Sequence, residues 1–281
     1  MTQGTEPVPG HDHVHFAHRE GRPVVVKTGT IESLRREALA LTQLGDRAAD
    51  VVELVEIDGG RARLVTARVL PGDDLRPLVQ RDDDVATTII AEIVEDFRQH
   101  LRLPGSSSNS LPHVGAVVEP IARCEDPRLP RDVRYLAQQL CDELLGSMDC
   151  RVVHGDLQHR NVLRHGVSDD HRWVAIDPHG WLGDPSFEFA AALAAPESLM
   201  QIHPEAETRR DARGIDPAPL VAATARRIGI LAEISGDDPQ RLWAWAFVGA
   251  VIAEARMLEL HNLVHGAPLS LAQGISARGL V

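Results

Sequence analysis

Aromatic residues are scarce in this 281-residue chain: four Trp, five Phe and one Tyr, 4% in all. Leu, Val, Ile and Ala must therefore build most of its core. Cysteine is also scarce. Cys124, Cys141 and Cys150 are widely spaced, odd in number and without a C-x-x-C pair. This argues against a disulfide framework and points to free thiols in a reducing cytoplasm. Basic charge is short: 29 Lys and Arg face 41 Asp and Glu, a formal charge of −12. That is the wrong sign for a phosphate-backbone partner, so no nucleic acid is expected. The longest apolar run, Trp243 to Ala253, is too short to span a bilayer and is followed by Glu254, so no membrane partner is expected. The opening "MTQGTEPVPG" lacks the basic-then-apolar order of a secretion signal. The expectation is a cytoplasmic protein, monomeric or weakly dimeric. An acidic surface would also steer a polycationic small molecule, although such acidity serves solubility equally well.

A hydrophobic content of 43% with 25% charged residues is ordinary for a globular protein, and the length allows one large domain or two lobes. Residues 14–28 read as a hairpin around "REGRP". In "TIESLRREALALTQLG", Leu34, Ala38 and Leu41 recur at helical spacing and Gly45 stops the pattern. "VVELVEID", the turn "GG" and "RARLVTARVL" form a second hairpin. Helices follow at 81–101 and 130–148, separated by a Pro/Gly/Ser-rich loop at 103–115. Short strands flank "HGDLQHRN" and end at "WVAID", and the stretch 186–265 reads as helices broken at "GIDPAP" and "SGDDPQ". The fold class is α+β, with a small β-rich lobe at 1–70 and a larger, mainly helical lobe at 71–281.

"VVHGDLQHRNVL", Val152 to Leu163, sets polar and ionisable groups between two apolar pairs. Asp156 is an acceptor that can orient or deprotonate a hydroxyl. Asn161 offers a neutral carbonyl oxygen suited to Mg²⁺, and Asp177 in "AIDPHG" would add an anionic ligand. A base and two oxygen ligands are the minimal equipment for phosphoryl transfer to a hydroxyl. Each piece also has a plainer role, since Asp caps turns and D-P-x-G suits a type I turn. The same chemistry calls for a held cation at the nucleotide phosphates. Lys27 ends the strand "PVVVK", and Glu37 lies ten residues on in the next helix, a strand-to-helix pair of the kinase kind. His11, His13, His15 and His18 have strand spacing for a zinc site, but no second ligand cluster lies near in sequence.

The motifs "HGDLQHRNVL", "AIDPHG" and "GDPSFEFA", with the connector "RLVTARVLPGDDL", resemble those of the aminoglycoside/hydroxyurea antibiotic resistance kinases, which include streptomycin kinases. The resemblance runs from about Pro23 to Ala192 and implies a bilobal, protein-kinase-like fold. It implies Asp156 as the catalytic base, Asn161 and Asp177 as Mg²⁺ ligands, and Lys27, held by Glu37, on the phosphates of ATP, with GTP as the other donor. It places the adenine against the backbone of Thr66, Ala67 and Arg68. Asp184 would brace the catalytic loop and His154 would orient it.

The substrate implied is a cationic antibiotic, either an aminoglycoside such as streptomycin or a basic cyclic peptide such as viomycin or capreomycin. Glu188, Glu254 and Glu259 are the candidates to hold its cations. Three features depart from the family pattern. Only 26 residues precede Lys27, which implies a shortened first hairpin; G-x-G-x-x-G is missing, with Gly10 a weak substitute; and Gln158 and Arg160 stand where the family often has His and Gly. Arg160 could stabilise the transferring phosphoryl group or be an ordinary surface arginine. A metabolic alcohol kinase and a nucleotide-binding pseudokinase remain as alternatives. Protein kinases are disfavoured, because H-R-D and D-F-G do not occur.

Overall fold

The computed structural model describes residues 2–8, 11–100, 111–146, 150–166, 171–202 and 215–281. Its first layer is an antiparallel sheet of β1 (Thr2–Val8), β2 (His11–Arg19), β3 (Arg22–Thr30), β4 (Val51–Glu56) and β5 (Arg61–Ala67), in the order β1-β2-β3-β5-β4. The period-2 geometry of β3 sorts its side chains. Val24 and Val26 turn to one face and join Ala17 and Val65 in a small apolar cluster. Lys27 turns to the other face, opposite Leu64 on β5, and helix α1 (Ile31–Leu44) covers that side. The Thr30 hydroxyl caps α1 by accepting from the Ser33 N–H. Gly45 ends it at φ +74°, a conformation that glycine adopts without a Cβ clash.

Strand β6 (Pro71–Asp74) leaves this sheet and pairs with β8 (Val162–His165), which pairs with β9 (Arg172–Ala175). A second small pair joins β7 (Arg151–Val153) to β10 (Trp181–Gly183). The helical part comprises α2 (Arg76–Arg81), α3 (Asp83–His100), α4 (Gly115–Arg123), α5 (Arg131–Leu145), α6 (Glu188–Ala194), α7 (Pro196–Ile202), α8 (Pro217–Ser235), α9 (Pro239–His261) and α10 (Ala267–Ala277). The apolar run noted in the sequence is the centre of α9, which α4, α5, α6, α8 and α10 surround. Trp245 and Phe247 there are fully buried, as expected of a helix that is apolar on every side. No helix among the described residues is long and apolar enough to cross a membrane.

The sequence reading missed six elements, the short strands β6 and β10 among them. β1, "TQGTEPV", lacks apolar alternation and lies at the sheet edge. It pairs with β2, so the N-terminal sheet has five strands where a shortened first hairpin was expected. Helix α2 is only six residues long, α4 contains Pro120, and α10 is nearly continuous in apolar and small residues. Gly10, most of the 103–115 loop and the segment 203–214 lie outside the described residues. His13 and His15 share one face of β2 and His18 lies on the other; no group of three metal-binding side chains occurs among the described residues.

Candidate active site

The face of β3 toward α1 carries Lys27, and Glu37 is one of the few polar residues on the buried stripe of α1. The Lys27 ammonium donates to Glu37 Oε2 at 2.8 Å and also to Asp177 Oδ1. Burial alone would lower the Lys27 pKa, but the two carboxylates raise it, so it is held as a cation. Burial pushes Glu37 up to about 7, against the pull of Lys27. Burial also acts to raise Asp177, but Lys27 overcomes it and holds that carboxyl below the usual range. Asp177 follows β9 at φ +60°, a conformation that costs a non-glycine residue free energy. Its side chain is 45% exposed, and Oδ2 is free of hydrogen bonds among the described residues.

The loop between β7 and β8 presents Asp156. Its Oδ2 accepts from Asn161 Nδ2 at 2.9 Å, and Gln158 Nε2 donates to Oδ1 at 2.9 Å and Oδ2 at 3.0 Å. Asn161 Nδ2 also donates to the Asp156 carbonyl at 2.8 Å. With the amide nitrogen fixed against acceptors, Asn161 Oδ1 is the atom left for a cation. A single ammonium faces two carboxylates at Lys27, and the fields of Asp156 and Asp177 both reach the buried His154, so negative charge is in surplus. Carboxylate and amide oxygens are the donors Mg²⁺ prefers, so the residues present fit that ion.

Buried groups hold this loop. His154 Nε2 donates to the Ile176 carbonyl at 2.9 Å, and Nδ1 accepts from the Asp156 N–H at 3.3 Å. Burial pushes its pKa down to about 4, so it is a neutral imidazole with a fixed tautomer. His179 N–H donates to the His154 carbonyl at 2.8 Å, tying "DPHG" to the loop. Gly155 has φ +79°, and a Cβ there would lie 2.3 Å from the Trp181 ring.

The structure corrects several of the expected roles. Glu188 is 3% exposed, and its carboxylate faces inward, away from any substrate. Its oxygens accept the backbone N–H groups of His154 and Gly155. This is the bracing expected of Asp184, which is instead bound to Ser186 N–H, Arg241 and Trp245 Nε1 and so anchors α9. Glu254 is 1% exposed and accepts from the N–H groups of His265, Gly266 and Leu269 at 2.9, 2.7 and 3.2 Å, which caps α10. Glu259 faces solvent and pairs with Arg123 at 3.3 Å.

The expected adenine contacts are also largely committed. Thr66 and Ala67 pair with Val25 and Val24, the Ala67 N–H donates to Asp50 O, and the Arg68 N–H donates to Pro23 O at 3.1 Å. The Val69 N–H is the next donor along, and it has no partner among the described residues. Arg160 pairs with Glu197 on α7 at 3.0 Å and lies 3.8 Å from Asp156 Oδ2.

The "QHR" that interrupts the motif thus has a structural account. Gln158 clamps the Asp156 carboxylate and Arg160 reaches Glu197. His159 is buried, and burial pushes its pKa down to about 3, with nearby Arg227 acting in the same direction. Beside Asp156 opens a cavity of about 450 Å³ between the loop, α7 and α9. Its wall includes Glu197 and Arg256, which sequence reasoning missed. Neither belongs to a motif, and only the packing of α7 and α9 brings them to Asp156.

A five-stranded sheet with a strand-to-helix Lys–Glu pair, above a helical part that presents Asp, Asn and Asp from two linked loops, is the protein-kinase-like fold. Solved structures agree on the fold. A complex of aminoglycoside phosphotransferase APH(4)-Ia with ADP and hygromycin B superposes with a TM-score of 0.62 at 12% identity, covering 99% of this chain and 94% of that one. Choline kinase LicA from Streptococcus pneumoniae gives 0.60 at 14% identity, covering 99% and 95%.

The sequence model of a family described as aminoglycoside/hydroxyurea antibiotic resistance kinase matches residues 5–260, and the chain belongs to that family. Among its relatives are a streptomycin 3''-kinase of Klebsiella pneumoniae, 33% identical over 46% of this chain and 43% of that protein, and a hydroxyurea phosphotransferase of Kitasatospora aureofaciens, 31% identical over 61% and 52%. The chain spans about half the length of the curated relatives it matches.

Proposed function

We propose that this protein transfers the γ-phosphoryl group of ATP, or of GTP, to a hydroxyl of a small-molecule antibiotic. The hydroxyl oxygen attacks the γ-phosphorus, the bond from that phosphorus to the β,γ-bridging oxygen breaks, and ADP leaves. The hydroxyl proton passes to Asp156. The observation that carries this reading is the Asp156 carboxylate, oriented by Gln158 and Asn161, on a loop that His154 and His179 tie to the segment bearing Asp177 of the Lys27–Glu37–Asp177 cluster. Lys27 would meet the α- and β-phosphates, with Glu37 keeping it in place. Asn161 Oδ1 and Asp177 Oδ2 would hold Mg²⁺, which when bound offsets charge on the phosphates. The Val69 N–H is the donor we assign to the adenine edge, and Arg160, released from Glu197, would reach the transferring group.

Family membership supports an aminoglycoside as the acceptor; a basic cyclic peptide is the second acceptor we propose, on the acidic balance of the chain alone. We place the lobe boundary at 70/71, where the chain passes from the five-stranded sheet to β6, and the protein in the cytoplasm, acting without nucleic acid. The test is acceptor-dependent ADP release over a panel of antibiotics. Asp156→Ala is expected to lower kcat by about 10²–10⁴-fold. Retention of most activity in that variant would sink the mechanism. Turnover of a metabolite alone would favour an alcohol kinase, and nucleotide binding without turnover a pseudokinase.

A further inference from the structure

The cavity beside Asp156 does not have the acidic lining that would hold a polycation. Its wall carries two carboxylates, Asp156 and Glu197, and two guanidiniums, Arg160 and Arg256. Asp156 is bound to Gln158 and Asn161. Glu197 pairs with Arg160 through Oε1 at 3.0 Å, which occupies Arg160, while its buried Oε2 lies 4.0 Å from Arg76 and has no hydrogen-bond partner among the described residues. Arg256 is left over. It projects from α9 into the cavity and has no hydrogen bond or close ion pair among the described residues. Asp156 and Glu259 act on it only through their field, and its burial lowers its pKa, so its surroundings do not fully replace the water it has lost. Apolar Val117, Ile252 and Met257 line the same wall. A partly desolvated guanidinium without a partner costs free energy unless a ligand provides the acceptor, and its planar fork matches a carboxylate or carbonyl.

We infer that Arg256 determines acceptor specificity by donating to a carboxylate or carbonyl oxygen beside the hydroxyl that is phosphorylated. The inference rests on the phosphotransferase reading and narrows its substrate: the end of the acceptor near Asp156 is oxygen-rich and neutral or anionic. The three carboxylates expected to hold a cation are engaged elsewhere, with Glu188 on the loop of Asp156, Glu254 on α10 and Glu259 on Arg123.

The test compares the full chain with Arg256→Lys and Arg256→Met on four acceptors: glycolate, hydroxyurea, glycerol and streptomycin. ADP release and calorimetric binding in the presence of a non-hydrolysable ATP analogue are both read. Preference for glycolate or hydroxyurea over glycerol supports the inference, as does an increase of at least about ten-fold in their KM or Kd in Arg256→Met with KM for ATP unchanged and partial rescue in Arg256→Lys. Streptomycin turnover with KM unchanged or lowered in Arg256→Met would overturn it while leaving the kinase reading intact. Binding of glycolate and hydroxyurea that is weak or insensitive to Arg256→Met also overturns it. ADP release by no acceptor, with binding still lost in Arg256→Met, supports the Arg256 site and removes the transfer reading instead.

Discussion

The two sides of the cleft handle charge differently. On the side we propose for the nucleotide, Lys27 is held between Glu37 and Asp177, three residues drawn from a strand, a helix and a loop. On the side we propose for the acceptor, Arg160, Glu197 and Arg76 share contacts, and Arg256 has no close partner among the described residues. The first arrangement suits a ligand whose phosphates always present the same charge. The second leaves one unsatisfied donor, and such a group discriminates among ligands by what it costs to leave it unpaired.

The contrast can be broken most strongly at Lys27. Lys27→Met removes the ammonium and leaves two carboxylates facing each other; kcat/KM for ATP should fall at least about 100-fold in steady-state ADP release. A ten-fold loss or less would mean that the cluster is structural. Glu188→Ala strikes the scaffold common to both sides. It orphans two buried N–H groups, so a loss of about 3 kcal/mol and a fall in Tm of roughly 6–12 °C are expected by calorimetry.

The pH dependence separates the two sides. Glu37 has a pKa of about 7 in the folded protein, so it takes up a proton as pH falls below 7 and its hold on Lys27 weakens. Nucleotide affinity should then fall by up to about ten-fold per pH unit toward pH 6, and in Glu37→Gln it should be flat. The stability contribution has the opposite sign. Because the folded-state pKa is raised, the folded protein binds more protons between about 4.5 and 7, and this contribution is lost as pH rises through 7. The smallest effect is expected at Glu259, whose pair with Arg123 is exposed. Glu259→Gln should change stability by less than about 0.5 kcal/mol and leave the acceptor KM unchanged.

What the sequence disclosed follows the same division. Asp156 and Asn161 are five residues apart, so one loop conformation brings them together, and the spacing alone made the pair legible. Lys27 and Glu37 were legible because a strand end followed by a helix start fixes their approach. Glu188 and Glu254 were misassigned because each sits on a helix where periodicity says little about exposure. Their partners are backbone N–H groups 33 and 34 residues away for Glu188 and 11 to 15 away for Glu254. Arg256 and Glu197 carried no signal, since their meeting with Asp156 depends on how α7 and α9 pack. The N–H groups of Ala67 and Arg68 are engaged because the strand ladder continues through Ala67, and no local residue preference marks where the pairing ends.

Trp181 lies against Gly155 of the catalytic loop on one side and under the Arg36 guanidinium of α1 on the other, 5.3 Å from ring centroid to charge. Its indole N–H is buried without a hydrogen-bond partner among the described residues. Tryptophan emission is sensitive to a nearby charge and to the polarity around the indole nitrogen, and both are set here by the distance between α1 and the loop. The ring is therefore an intrinsic fluorophore at the joint between the two halves of the cleft, and with Trp173, Trp243 and Trp245 replaced its colour would track that joint without an added label.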